Sequence, residues 1–333
     1  MCGHRHPREA HTERVREDQG PWRKEPGMAD RLVTLRDGRR LGLTAFGDPA
    51  MERVVVLCHP APGAGGFDPD PPVTSHWGVH VISVDRPGYG SSTPLDEEVR
   101  PGIGTWADDL AAYVTLVIEQ ARETGRTPLD KIGVVGWDAG GRVALAMAAR
   151  HPGLVDRVAV VATPAPDSAV PWVPEEQRTV IEELLRLPVP EAKRRLRELL
   201  SGRLPGGRPG VELLASGEAD LALLDAPGLR GRLERMLQHA YDQGTVGEAD
   251  DLLSSARDDW GFDLDDVKAP TLLVYGAKDR VVPSAHGRWY RRHLHGASTH
   301  LTVVPRAGHL VIAPAWQRVL QHVDPQHGTR SDV

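Results

Sequence analysis

The stretch VVGWDAGGRVAL, Val134 to Leu145, decides how this chain is read. Apolar residues run up to Gly136, Asp138 follows at a turn, and Gly140 and Gly141 open an Ala-rich segment. That order of residue types predicts a strand, a tight turn and the start of a helix, which together present one side chain at the apex of a sheet as a nucleophile. Such turns usually read G-x-S-x-G. Here Asp138 stands where the serine would be, so the chemistry has to be worked out for a carboxylate.

Outward from this turn, apolar runs recur at a regular beat. RVVVLCHP, VHVISVD and KIGVVGW lie at or before it, and DRVAVVATP, PTLLVYGAKD and THLTVVPRAGH follow it. Each is β-branched and nearly continuous, as strands buried on both faces are. TWADDLAAYVTLVIEQARE spaces Leu110, Val114, Val117 and Ile118 along one helical face. At the start, RLVTLRDGRRLGLTAF alternates on either side of Asp37-Gly38, a hairpin signal. Strands alternating with helices predict a mostly parallel sheet flanked by helices. The beat breaks between Pro166 and Asp263, where EEQRTVIEELLRL, EAKRRLRELL and GLRGRLERMLQHAYDQ read as amphipathic helices of an inserted lid. The expected organisation is a disordered tail over 1–27, a core over 28–166, a helical lid over 167–262, the second part of the core over 263–325 and a flexible end over 326–333. Met28 offers an alternative start of translation.

Composition narrows the function classes. With 333 residues, 40% hydrophobic and 26% charged, the chain can bury a large core, and its net charge of -6 argues against a surface that neutralises phosphates. Nucleic acid is not an expected partner; a small-molecule substrate is. No apolar run reaches the roughly 18 residues of a membrane span. The opening MCGHRHPREAHTERVRE lacks the apolar centre of a signal peptide, so a cytoplasmic location away from membranes is expected. Cys2 and Cys58 imply neither a disulfide nor a metal framework, and His4, His6 and His11 are too loosely placed to suggest one. No metal or organic cofactor is called for, and no pattern bears on oligomeric state.

Ligands of open α/β sheets bind at the carboxyl ends of the strands, and Asp138, Asp279 and His309 each follow such an end. Taken in order, HPAP (His59 to Pro62), DRPGYGSS (Asp85 to Ser92), GWDAGG (Gly136 to Gly141), GAKDRVVP (Gly276 to Pro283) and AGHL (Ala307 to Leu310) resemble the α/β-hydrolase superfamily from about Met28 to Gln321. The resemblance implies the α/β-hydrolase fold with a lid after the sixth strand. It also implies a nucleophile, acid and histidine in the chain order Asp138, Asp279, His309, and an oxyanion hole from the backbone N–H groups of Ala61 and Ala139. DRPGYGSS reads as a shaped turn with Tyr89 packing, and Arg142 as serving the helix start.

A carboxylate attacking an acyl carbon forms an anhydride, a poor intermediate, whereas at an sp3 carbon bearing a leaving group it forms a stable alkyl ester. His309, oriented by Asp279, would then activate water to cleave that ester. Members with an aspartate nucleophile resemble epoxide hydrolases and haloalkane dehalogenases. Epoxide opening needs an acid, for which Tyr241 is the lid candidate, placed by four-residue spacing with Leu233 and Leu237 either as donor or as packing; Trp172 is a second candidate. Halide release favours Trp directly after the aspartate, where this chain has Ala139, with Trp137 before it. Epoxide hydrolysis is therefore the leading expectation. The alternatives are haloalkane dehalogenation, acid/base catalysis by Asp138 and His309 in a lyase or cyclase reaction, and a non-catalytic binding protein on the same fold.

Overall fold

The structure is a computed structural model that describes residues 29–49, 53–124, 131–204 and 209–324. The expected tail and flexible end lie outside those residues. β1 (Ala29–Thr34) and β2 (Arg40–Gly47) form the hairpin predicted around Asp37-Gly38, with Gly38 at φ 88. β3 (Val54–Cys58), β4 (His80–Val84), β5 (Ile132–Trp137), β6 (Val155–Val161), β7 (Thr271–Gly276) and β8 (Thr299–Val304) are the six apolar runs. They form one sheet in the order β1-β2-β4-β3-β5-β6-β7-β8, antiparallel as far as the β2/β4 pair and parallel from β4 onward. β3, β5 and β7 are buried at every position, which is why their sequences are continuous rather than alternating.

Two apolar cores lie on opposite faces of this sheet. Val56, Ile82, Val134, Val158 and Leu273 point to one face, and their neighbours Val55, Val81, Val135, Ala159 and Leu272 to the other, as the two-residue period of a strand requires. The first face is covered by α2 (Ile103–Glu123) and α3 (Ala139–Arg150). On the second face, α10 (Trp316–Val323) contributes Trp316, Val319, Leu320 and Val323, all buried. α1 (Pro71–Trp77) is tied to it by a hydrogen bond from the Trp316 indole to Thr74 Oγ1, 2.8 Å. Burying each of these large side chains contributes about 1.5–3 kcal/mol, so the sheet and its strand ends form a rigid platform.

Between β6 and β7 lie α4 (Glu175–Leu185), α5 (Val189–Ser201), α6 (Glu218–Leu223), α7 (Leu229–Ala240) and α8 (Val246–Ser255). They form the lid. α7 sends Leu233, Met236, Leu237 and Ala240 inward at the 3–4 spacing of an amphipathic helix. Within the lid, Lys193 of α5 and Asp250 of α8 are fully buried 3.5 Å apart, and the Lys193 ammonium also donates to Asp96 O at 3.1 Å. α9 (Ala285–His293) completes the element order between β7 and β8.

Candidate active site

β5 ends at Trp137 and α3 begins at Ala139, so a single residue makes the turn between them. Asp138 has φ 52 and ψ -123, a conformation that costs on the order of 1–3 kcal/mol for a residue with a side chain. Its small neighbours make the turn possible. A Cβ on Gly136 would sit 2.3 Å from Gly140 O, one on Gly140 2.2 Å from Cys58 O, and one on Gly141 1.8 Å from Thr163 Oγ1. Hydrogen bonds from Asp138 N to Val161 O (2.9 Å) and from Gly141 N to Asp138 O (3.0 Å) hold the turn in place.

The two carboxylate oxygens of Asp138 have different surroundings. Oδ2 accepts the Ala61 N–H at 3.1 Å, and Oδ1 faces His309 Nε2 at 3.9 Å. His309 Nδ1 lies 3.0 Å from Asp279 Oδ2, while Asp279 Oδ1 accepts the N–H groups of Val281 (2.9 Å) and Val282 (2.8 Å). All three side chains are buried. The sequence placed Asp138, Asp279 and His309 on separate loops, and the fold brings them together. Of the two expected oxyanion donors, Ala61 touches the carboxylate. Ala139 begins α3, whose amino-terminal end favours negative charge beside it, but among the described residues no hydrogen bond joins its N–H to Asp138.

Burial pulls the pKa of His309 down, but the hydrogen bond to Asp279 and the charges of Asp279, Asp138 and Asp220 outweigh it and raise the value to about 9. The imidazole therefore rests as an imidazolium between carboxylates. Because Asp279 is aligned on Nδ1, the Nε2 proton is the one that points toward Asp138.

The loop bearing Ala61 is positioned by a residue that the sequence reading had left to turn formation. Arg86 is buried and donates to His59 O (2.6 Å) and Pro60 O (2.8 Å), the two carbonyls just before Ala61. Its Nε and Nη2, the latter shared with Pro60 O, form a two-point pair with Asp251 of α8 at 3.0 and 2.5 Å, and the Tyr89 hydroxyl also donates to Asp251 at 2.8 Å. DRPGYGSS is thus more than a turn: it couples the Ala61 loop to the helices inserted between β6 and β7. Gln243, just before α8, adds hydrogen bonds from its side-chain amide to Gly90 O and Ser92 O, both 2.8 Å. His239 of α7 lies 3.3 Å from Asp85. A second lid carboxylate, Asp220 of α6, accepts the backbone N–H groups of His309 (3.1 Å) and Leu310 (2.8 Å). No motif marked Asp220 or Asp251.

Four further residues singled out in the sequence have defined places in the structure. Tyr241 caps α7 with φ -103 and ψ 15, its N–H still bonded to Leu237 O at 3.2 Å, and it packs against Ala64, Tyr89 and Ala240. Its hydroxyl donates to Glu248 Oε2 at 2.7 Å, and burial together with that carboxylate raises its pKa further, so it is held in the lid rather than offered to Asp138. Trp172 is anchored through its backbone N–H to Asp167 at 2.8 Å. Trp137 is buried and gives its indole N–H to His309 O at 3.3 Å, so it braces the histidine loop. Arg142 does more than serve the helix start. It is buried over the Trp260 ring at 4.6 Å, with bonds to Pro164 O, Ala165 O and Ser255 O that fasten both ends of the lid.

A strained turn after β5 carrying the candidate nucleophile, with acid and histidine after β7 and β8, agrees with a comparison of the sequence: residues 53–314 match the alpha/beta hydrolase fold family. The chain belongs to that family. Among its relatives is the pimeloyl-[acyl-carrier protein] methyl ester esterase of Neisseria meningitidis serogroup C, 30% identical over 234 residues, which span 69% of this chain and 75% of that protein. A 2-hydroxy-6-oxononadienedioate/2-hydroxy-6-oxononatrienedioate hydrolase of Burkholderia vietnamiensis is 28% identical over 265 residues, 78% of this chain and 81% of that one. Among solved structures, the esterase of Exiguobacterium antarcticum has a TM-score of 0.61 at 17% identity, covering 89% of this chain and 98% of that one. The enol-lactonase of Burkholderia xenovorans has a TM-score of 0.60 at 18% identity, covering 90% of this chain and 100% of that one. Family and fold are therefore those of a hydrolase. Among the described residues, no helix is long and apolar enough to cross a membrane.

Proposed function

We propose that this hydrolase works through an alkyl ester on Asp138 and that its substrates are epoxides. The observation that carries this reading is the division of labour between the two oxygens of Asp138: Oδ2 is held by the Ala61 N–H and Oδ1 is open toward His309. In the first step Oδ1 attacks a ring carbon, the C–O bond breaks, and the departing oxygen takes the Nε2 proton of the His309 imidazolium. Loss of the Asp138 charge then removes one of the influences that keep His309 protonated, so ester formation itself leaves a neutral base. Water attacks the ester carbonyl as His309 takes one of its protons, and the oxyanion forms on Oδ2, where Ala61 already donates. Collapse expels the diol oxygen, which takes the remaining carboxyl proton and restores Asp138 carboxylate and His309 imidazolium.

The preference for an epoxide over a haloalkane now rests on charge rather than on Tyr241. Among the described residues, Asp138, Asp279, Asp220 and Asp251 lie around the site with the cations His309 and Arg86, a surplus of negative charge that disfavours a departing halide ion but not an alkoxide that leaves protonated. We also propose that residues 28–166 and 263–325 act as the core and 167–262 as the lid over this site. The similarity to esterases favours a second reading, in which Asp138 and His309 act on water directly and no ester forms on the enzyme. A single turnover in H2 18O with enzyme in excess over styrene oxide separates the two. The alkyl-ester route is expected to leave 18O in the Asp138 carboxylate and none in the first diol; 18O in the diol alone would overturn it.

A further inference from the structure

We propose that Asp220, carried on the lid, is a positioning residue for His309, so that the lid sets both the placement and the charge state of the catalytic histidine. Three observations carry this. First, the carboxylate of Asp220 is 1% exposed, and its two oxygens separately accept the adjacent N–H groups of His309 and Leu310, at 3.1 and 2.8 Å. Those N–H groups open a short 3-10 helix, His309–Ile312, in which they have no partner of their own, so the carboxylate caps the element that bears the histidine. Second, the chain beneath it is shaped to admit it. A Cβ on Gly308 would lie 2.4 Å from Asp220 Oδ1, so the residue before the histidine has to be small for the carboxylate to reach both N–H groups. Third, among the described residues no Lys or Arg forms a salt bridge with Asp220; its remaining hydrogen bond comes from Ser216 N at 3.3 Å. The charge is therefore directed at the histidine loop and is not neutralised by a neighbour.

Three carboxylates thus face His309 from three different elements: Asp138 from the turn before α3, Asp279 from the loop after β7, and Asp220 from α6. Trp137 approaches from β5, with ring centroids 6.1 Å apart, and carries no charge. Only Asp220 belongs to the lid. Displacing α6 would remove the cap and one negative charge from the histidine together, so the catalytic acid of the core depends on a group outside it.

This inference rests on the proposed role of His309 as a proton donor, and its test separates the two. The His309 imidazole is titrated by NMR in 15N-histidine-labelled full-length protein without substrate, its resonance assigned by its absence from His309→Gln. Asp220→Asn is expected to lower the His309 midpoint by about one unit, with Asp220→Glu holding it near the wild-type value. With styrene oxide, Asp220→Asn is expected to cut kcat roughly tenfold with KM little changed. A folded Asp220→Asn with an unchanged midpoint overturns the inference whatever the enzyme does to epoxides; a shifted midpoint without epoxide turnover supports it and counts against the proposed reaction instead. If Asp220→Asn fails to fold, amide exchange in the wild type decides: His309 and Leu310 amides are expected to be protected, and exchange at the rate of an open loop overturns the inference.

Discussion

At the scale of single residues, the exchange of serine for Asp138 changes what the neighbouring histidine has to be. A serine nucleophile needs a neutral imidazole at the outset, whereas an Asp138 carboxylate facing the imidazolium of His309 can start the reaction with the proton already in place. This sets the sign of the pH dependence. The His309 pKa is raised from 6.5 to about 9, so the proposed first step is available below that value and is lost as pH rises through it. The expected kcat/KM profile with an epoxide falls above about pH 9, with a slope near one proton. A limb that rises through pH 9 instead, as a neutral starting base would give, would remove His309 as the donor. The position of Asp138 was legible because so tight a turn after a strand needs small residues on both sides of it, here Gly136, Gly140 and Gly141. The fate of Tyr241 was not, since four-residue spacing cannot say where a helix stops or which carboxylate waits beyond it.

At the scale of elements, the proposed oxyanion loop at Ala61 is only as well placed as the Arg86–Asp251 pair behind it. Asp251→Ala would leave the Arg86 guanidinium buried without its anion, which costs about 3–5 kcal/mol. Urea unfolding is expected to report that loss, and turnover to fall with it because the carbonyls beside Ala61 lose their anchor. Replacing the pair together, Arg86→Met with Asp251→Leu, is expected to recover much of the stability without the activity. Recovery of both would mean that the pair serves folding alone. In the sequence, Arg86 sat in view within DRPGYGSS, but its partner lies 165 residues away on a lid helix, and no local pattern records a pairing at that distance.

For the whole molecule, charged and polar contacts at several points join the inserted helices to the core, beside the apolar contact of Leu233, Met236 and Leu237 with the second face of the sheet. Arg86 with Asp251, Asp220 with the His309 loop, Lys193 with Asp96 O, and His239 with Asp85 all cross between the two. His239 makes this attachment sensitive to pH. Burial opposes its protonation, but hydrogen bonds and charges from Asp85 and Asp242 win and raise its pKa to about 9. A folded-state value above the unfolded 6.5 stabilises fully below about pH 6.5 and is lost as pH rises through 9. His239→Gln is therefore expected to lower stability by on the order of 2 kcal/mol at pH 6 and by little at pH 10, as followed by thermal unfolding across that range. An equal loss at both ends would show that the ion pair contributes nothing.

The sequence alone determined the strand and helix order, the parallel sheet with its inserted helices, and the loops that carry Asp138, Asp279 and His309. Those features depend on local periodicity and on turns that demand particular residues, and both are written in neighbouring positions. Only the tertiary structure decided which carboxylate oxygen meets Ala61, which tyrosine hydroxyl is already taken, and that Asp220 and Asp251 reach down from the lid to the catalytic loops. A buried charge must find its partner wherever the packed fold brings one, and that choice depends on distances in space rather than on spacing along the chain.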